Sequence, residues 1–107
     1  MIRALEKLLG TPRDGALLRY SLGLEYQRAG DLPKALEHLR ESLARDPGYS
    51  AAWRALGKVL TDLELPAEAL EAYRKGIQAA AAKGDRQAEK EMTVFARRLE
   101  KKLGGST

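Results

Sequence analysis

The 107-residue chain contains no cysteine, which excludes disulfides and thiolate metal sites. It has a single histidine, His38, so a zinc site would lack most of its usual nitrogen and sulfur ligands. A catalytic histidine also needs a nucleophile or an orienting carboxylate within reach. We interpret Glu37 and Glu41 as surface partners of neighbouring basic residues, and we expect His38 to face outward. The sequence has no glycine-rich phosphate loop either. It therefore predicts no catalytic residues, no metal site and no cofactor.

Long apolar runs are also absent. No segment approaches the roughly 18 apolar residues that a membrane-spanning helix needs. The first nine residues alternate charged side chains with Ile2, Leu5, Leu8 and Leu9, which is typical of an amphipathic helix. A secretory leader would need a continuous apolar stretch instead. We therefore expect a soluble, cytoplasmic protein without a membrane span.

The excess of positive charge lies near the C-terminus. Of the net charge of +4, most comes from residues 83–107, which carry seven basic and four acidic side chains. The basic cluster consists of Arg97, Arg98, Lys101 and Lys102. It could contact nucleic acid, but basic residues in a last helical turn also complement the helix dipole. Glu100 interrupts the cluster, and no aromatic residues are interleaved for base stacking. The pattern argues against nucleic-acid binding and indicates a mild preference for acidic partners.

Apolar side chains recur with helical spacing along nearly the whole chain. Leu18, Leu22 and Tyr26 lie four residues apart, and similar spacings follow in every later segment. No run alternates with a period of two for long enough to predict a strand. The fold class predicted is therefore all-α. We expect helices near 2–9, 13–29, 32–45, 50–63, 66–83 and 86–103.

Short breaks with typical capping residues separate these segments. We expect Thr11 to cap the second helix, with Pro12 as its first residue. Asp31 and Ser50 are predicted caps of the third and fourth helices, and Pro66 is the predicted first residue of the fifth. Connections this short place consecutive helices antiparallel to one another.

The two central helical hairpins repeat each other with an offset of 34 residues. The matched pairs are Leu22 with Leu56, Gly23 with Gly57, Tyr26 with Leu60, Ala35 with Ala69, Leu36 with Leu70, Leu39 with Tyr73 and Leu43 with Ile77. A helix–turn–helix unit of ~34 residues is the signature of the tetratricopeptide repeat (TPR). Trp53 and Pro47 also match the pattern of that family, so the chain resembles a small TPR protein with two repeats.

This resemblance implies antiparallel helix pairs stacked as a short right-handed solenoid. It places repeat one at 16–49 and repeat two at 50–83, with a C-terminal capping helix at 85–103, all within a single domain at 1–103. Residues 104–107 are expected to form a flexible tail. Gly23, Gly57, Ala35 and Ala69 would let paired helices approach closely, while large aromatic residues fill the space between repeats. Arg19 departs from the pattern, since Trp53 occupies its position in repeat two.

The resemblance also implies a concave groove, lined by the first helix of each pair, that holds an extended peptide or a partner helix. The residues placed there by their positions in the repeat are Leu17, Tyr20, Leu24, Gln27, Arg28, Arg54, Lys58 and Thr61, with Lys90 from the sixth helix. One subclass of the family clamps the C-terminal carboxylate of chaperones with lysine and asparagine. This sequence contains no asparagine, which argues against that activity.

The function predicted is a non-catalytic interaction module or adaptor whose partner is another protein. The ligand would be a peptide or helix, and an acidic one would suit the basic groups of the groove. One alternative is a self-assembling structural protein, because the apolar residues Leu5, Leu8 and Leu9 could pair with a second copy. A third is a basic surface for nucleic acid. The sequence leaves open whether the groove is free or is filled by the sixth helix or by another copy.

Overall fold

The computed structural model describes residues 1–104, in which six α-helices follow one another without a strand. The helices are α1 Ile2–Glu6, α2 Ala16–Arg28, α3 Leu32–Arg45, α4 Ser50–Asp62, α5 Pro66–Lys83 and α6 Arg86–Gly104. Consecutive helices pack on each other, so α2 with α3 and α4 with α5 form two stacked hairpins, and α6 packs on α5. The all-α class and the stacked pairs predicted from the sequence are confirmed.

Glycines allow the two helices of each hairpin to approach each other closely. A Cβ atom added to Gly57 would lie 2.5 Å from the ring of Tyr73 on α5. At the matching position of the first hairpin, a Cβ on Gly23 would lie 2.7 Å from Leu39. Both distances are far below van der Waals contact, so the predicted role of these two glycines is confirmed.

Most of the predicted helix ends are correct. The Asp31 carboxylate accepts a hydrogen bond from the backbone N–H of Lys34 at 3.2 Å, and Pro66 is the first residue of α5. Gly84 adopts a left-handed conformation (φ 74°) that ends α5. The capping role predicted for Ser50 is wrong. Ser50 is the first residue of α4, and no side chain caps that end.

The connection between α1 and α2 is longer than predicted. Thr11 does not cap α2, which begins at Ala16 after Gly15. Asp14 instead accepts a hydrogen bond from the backbone N–H of Gly10 at 2.9 Å, and Thr11 accepts one from the N–H of Arg13 at 3.2 Å. These short-range bonds hold residues 10–14 in turns, because they supply the partners that a helix would otherwise provide.

The prediction that His38 faces outward is wrong. His38 is buried, and its ring stacks on Tyr26 with 5.5 Å between the ring centroids. The guanidinium of Arg19 lies 3.4 Å from Nδ1 of His38. Arg19 also donates to the carboxylate of Asp14 at 2.9 Å and 3.0 Å. The departure of Arg19 from the repeat pattern therefore has a structural role, since this residue links the turn at Asp14 to α3.

The helix α1 closes the N-terminal end of the stack. Its side chains and those just after it, namely Ile2, Leu5, Leu8 and Leu9, are half-buried against the core. The hydroxyl of Tyr26 donates to the carboxylate of Glu6, which fixes α1 to α2. The apolar residues that the sequence offered for pairing with a second copy therefore pack within the same chain.

The C-terminal helix runs to Gly104, which the sequence placed in a flexible tail. The remaining tail residues, 105–107, lie outside the described residues. Within 1–104, no helix combines the length and the apolar character required to cross a membrane.

Candidate peptide-binding groove

A cleft of about 260 Å³ opens between α2 and α4, with contributions from α5 and α6. This volume is below the ~300–1,000 Å³ that is usual for small-molecule sites. The cleft therefore has room for one or two side chains of a ligand. Its lining consists of Tyr20, Leu24, Gln27, Ala51, Arg54, Ala55, Lys58, Tyr73 and Phe95. We use the name cleft for the space that these residues line.

The register of α4 shapes the cleft. Ala51, Ala55 and Lys58 follow one another at intervals of four and three residues, so they lie on one face of the helix. The two alanines are small, which leaves a depression between the larger side chains of α2 and α6. Gly57 of α4 lets Tyr73 of α5 approach closely, and Tyr73 also lines the cleft.

Two aromatic pairs flank the depression. Tyr20 and Tyr49 have ring centroids 4.9 Å apart, and Tyr73 and Phe95 have centroids 5.4 Å apart. Burial raises the pKa of Tyr49 above its ordinary value of 10.0, and burial likewise raises the pKa of Tyr73. Both phenols are therefore neutral near pH 7, and the walls offer apolar ring surface together with hydroxyl groups.

The charged rim of the cleft is internally paired. Arg54 forms an ion pair with Glu91 of α6 at 3.0 Å, and Lys58 forms one with Asp62 at 3.0 Å. The side chains of Arg54 and Glu91 are 53% and 39% exposed, so water screens this pair. Exposed pairs of this kind contribute only ~0.2–1 kcal/mol, which means that a ligand carboxylate could replace Glu91 at little cost.

The nine predicted groove residues fall into two groups. Those that line the cleft are Tyr20, Leu24, Gln27, Arg54 and Lys58. Leu17 and Thr61 are exposed outside it, with Leu17 67% exposed and the Thr61 hydroxyl donating to the backbone oxygen of Gly57 at 2.8 Å. Arg28 lines a separate depression beside α1. Lys90 lies on another face of α6 and does not reach the cleft.

Repeat position also places Ala55 in the groove, which the cleft confirms. Sequence reasoning missed four residues that build the cleft or its rim, which are Ala51, Tyr73, Phe95 and Glu91. Ala51 could have been found from helical spacing, since it precedes Ala55 by one turn. The apolar spacing of Phe95 with Met92 and Leu99 predicts a core position in the capping helix. Phe95 is half-buried and also faces the cleft. The sixth helix thus supplies one wall of the cleft.

The sequence matches the family model for the tetratricopeptide repeat over residues 20–85, which is more than half of the chain. The chain belongs to the tetratricopeptide repeat family. This TPR chain is 48% identical over 101 residues to a TPR repeat-containing protein of Pseudomonas aeruginosa, and the match covers 94% of this chain and 96% of that protein. The resemblance stated from the sequence is therefore confirmed.

Solved structures show the same fold. A protein from Bordetella parapertussis, determined in solution, is 42% identical with a TM-score of 0.79, and the match covers 92% of this chain and 86% of that one. A tetratricopeptide repeat domain protein from Salinibacter ruber is 25% identical with a TM-score of 0.76, covering 81% and 88% of the two chains. TPR domains generally mediate protein–protein interactions, and the family is typically a non-catalytic scaffold.

Proposed function

We propose that this TPR protein is a non-catalytic interaction module that binds a peptide or helix of a partner protein in the cleft. The observation that carries the proposal is the shape and chemistry of the cleft, a depression of about 260 Å³ with aromatic walls and a charged rim. An apolar side chain of the ligand would enter the depression above Ala51 and Ala55. An acidic residue beside it would compete with Glu91 for Arg54.

The absence of catalytic function is part of the proposal. The only histidine in the sequence, His38, stacks on Tyr26 and does not line the cleft. The carboxylates of Glu91 and Asp62 form ion pairs with Arg54 and Lys58 of the cleft. A location in the cytoplasm, and a ligand that is acidic rather than neutral, remain predictions of the same proposal.

A substitution that fills the cleft without disturbing the core tests this proposal. Ala51 is half-buried at the edge of the depression, so a phenylalanine at this position would occupy the ligand's space. The tagged wild-type protein and the Ala51→Phe variant are each purified from the native cell, and bound proteins are quantified by mass spectrometry. We expect at least one partner to copurify with the wild type and to fall about ten-fold with Ala51→Phe, a loss of ~1.4 kcal/mol in binding.

The matched control is Ala44→Phe, since Ala44 is exposed on α3 outside the cleft. This variant should retain the partner at the wild-type level, and circular dichroism should show the same helix content in all three proteins. A second variant, Arg54→Glu with Lys58→Glu, tests the rim and should lose an acidic ligand. If the filled cleft and the reversed rim both retain every partner, the cleft is not the binding site.

A further inference from the structure

The packing of α6 sorts its charges onto different sides. The helix carries six basic and three acidic residues, which alternate in the sequence. Glu91 forms an ion pair with Arg54 of α4 at 3.0 Å, and Glu100 forms one with Arg74 of α5 at 2.9 Å. Two of the three carboxylates are therefore directed toward neighbouring helices, and the outer side of α6 retains an excess of positive charge.

Four of the cations share one side of the helix, and we call them the basic stripe: Arg86, Lys90, Arg97 and Lys101. Their spacing of four, seven and four residues places them on one face of a helix over ~22 Å. This face is opposite the side that buries Met92, Ala96 and Leu99. None of the four forms an ion pair with another residue in the described range 1–104.

An exposed apolar side chain lies between the two pairs of cations in the stripe. Val94 is 48% exposed and lies in a shallow depression shared with Lys90 and Arg97. Glu89 lies at the edge of the same depression and adds a single negative charge. The face thus presents two pairs of cations on either side of an exposed valine, together with one carboxylate to one side.

We propose that this face of α6 binds an acidic amphipathic helix of a partner protein. A helix lying along α6 could place carboxylates at the same spacing as the stripe and an apolar residue against Val94. Val94 favours a protein ligand over a polyanion, because it offers apolar contact to a side chain but neither charge nor an aromatic ring to a nucleic acid. Glu89 repels carboxylates and phosphates alike, so it does not distinguish the two ligands. This site lies outside the cleft, so the proposal does not depend on the function proposed above.

A synthetic helical peptide provides the test. The probe peptide carries four glutamates at the stripe spacing and one central leucine, and its comparison peptide has the same composition in scrambled order. Binding is measured by fluorescence anisotropy in low-salt buffer. The wild-type protein should bind the probe at least ten-fold more tightly than the scrambled peptide, and added salt should weaken the binding because the stripe is exposed.

The variant Lys90→Glu with Arg97→Glu should reduce binding of the probe at least ten-fold. Its control is Lys7→Glu with Arg13→Glu, which makes the same change in net charge at exposed cations near the other end of the chain. The control should bind within about two-fold of the wild type. A probe with lysine at the two facing positions should restore binding to the stripe variant, because the charges are then complementary again.

Three outcomes overturn the proposal. The first is equal binding of the probe and the scrambled peptide, and the second is equal binding by the stripe and control variants. The third is tighter binding to a duplex DNA of about 20 base pairs, or to phosphatidylcholine vesicles containing phosphatidylglycerol, than to the probe. In that last case, the stripe recognises phosphate groups instead of a protein helix.

Discussion

The protonation state of His38 depends on the residues that contact its ring. Its ring stacks on Tyr26, and the guanidinium of Arg19 approaches the ring edge at Nδ1. Arginine has no acceptor atom, so Nδ1 of His38 must accept this hydrogen bond and carry no proton. Burial, followed by the charge of Arg19, lowers the pKa of His38 below its ordinary value of 6.5. The charges of Glu37 and Glu6 act in the opposite direction on this pKa, and that of Lys34 lowers it further.

This lowered pKa predicts a pH-dependent stability. Below pH 6.5 the unfolded chain takes up a proton at His38 that the folded chain does not, so the free energy of unfolding decreases as the pH falls. We expect wild-type protein to lose more stability between about pH 7.5 and about pH 5 than the His38→Gln variant does, as measured by urea unfolding. Acidic groups titrate in both proteins and cancel in the comparison. Identical pH profiles would show that His38 does not contribute.

The carboxylate of Asp14 affects the stability in a lower pH range. The hydrogen bonds from Arg19 and the backbone of Gly10 lower the pKa of Asp14 from 3.8 to about 2. The stabilising contribution of the ionised carboxylate is therefore complete above pH 3.8 and is lost as the pH falls toward 2. The contributions of His38 and Asp14 are thus separated along the pH axis, which keeps the His38 comparison free of the titration of Asp14.

At the scale of one element, α6 is held mainly by apolar packing. Met92 is fully buried, and its sulfur occupies the space beside Gly76 where a Cβ atom would otherwise lie. The ion pair between Arg74 and Glu100 adds little, because the two side chains are 52% and 47% exposed. The helix thus depends on the fit between Met92 and α5 more than on its charges.

We therefore expect Met92→Ala to lower the free energy of unfolding by ~2–5 kcal/mol, since truncation leaves a cavity between α5 and α6. The matched change Glu100→Gln, on the same helix, should cost under ~1 kcal/mol. Urea denaturation followed by circular dichroism measures both. A larger loss for Glu100→Gln than for Met92→Ala would mean that ion pairs hold α6 in place.

At the scale of the whole molecule, stacking of helices gives an elongated shape. The radius of gyration over Cα atoms is 14.2 Å, and the principal extents are 49 × 30 × 19 Å. A spherical domain of this length would have a radius of gyration of ~13 Å. Both ends of the stack are covered by helices, with the apolar side chains of α1 packed inward and the basic stripe on α6 facing outward.

These covered ends predict that the protein is a monomer. The apolar residues of α1 are engaged within the chain, and the basic stripes of two copies would repel each other. Light scattering should give the mass of one chain at every concentration, and small-angle X-ray scattering should give an elongated particle. A mass that rises with concentration would favour the self-assembling alternative.

Much of the fold follows from local sequence pattern. The 34-residue offset between Gly23 and Gly57 predicts the stacked hairpins, because small residues recur where paired helices touch. The residues that line the cleft are harder to predict from local sequence pattern. Five of the nine residues placed in the groove by repeat position line the cleft, whereas Lys90 lies elsewhere. A residue's face depends on the rotation of its helix, which the neighbouring helices determine.

The sequence by itself determined the helical class, the repeat and its family, because apolar spacing and small residues act locally and recur at a fixed interval. Tertiary structure decided the environment of His38 and the pairing of Glu100 with Arg74. In the sequence, Glu100 interrupts a basic cluster, whereas in the fold it faces α5 and leaves the stripe uninterrupted by its charge. These contacts join neighbouring helices through residues that lie far apart in the chain, 26 positions for Arg74 and Glu100, so no local pattern encodes them.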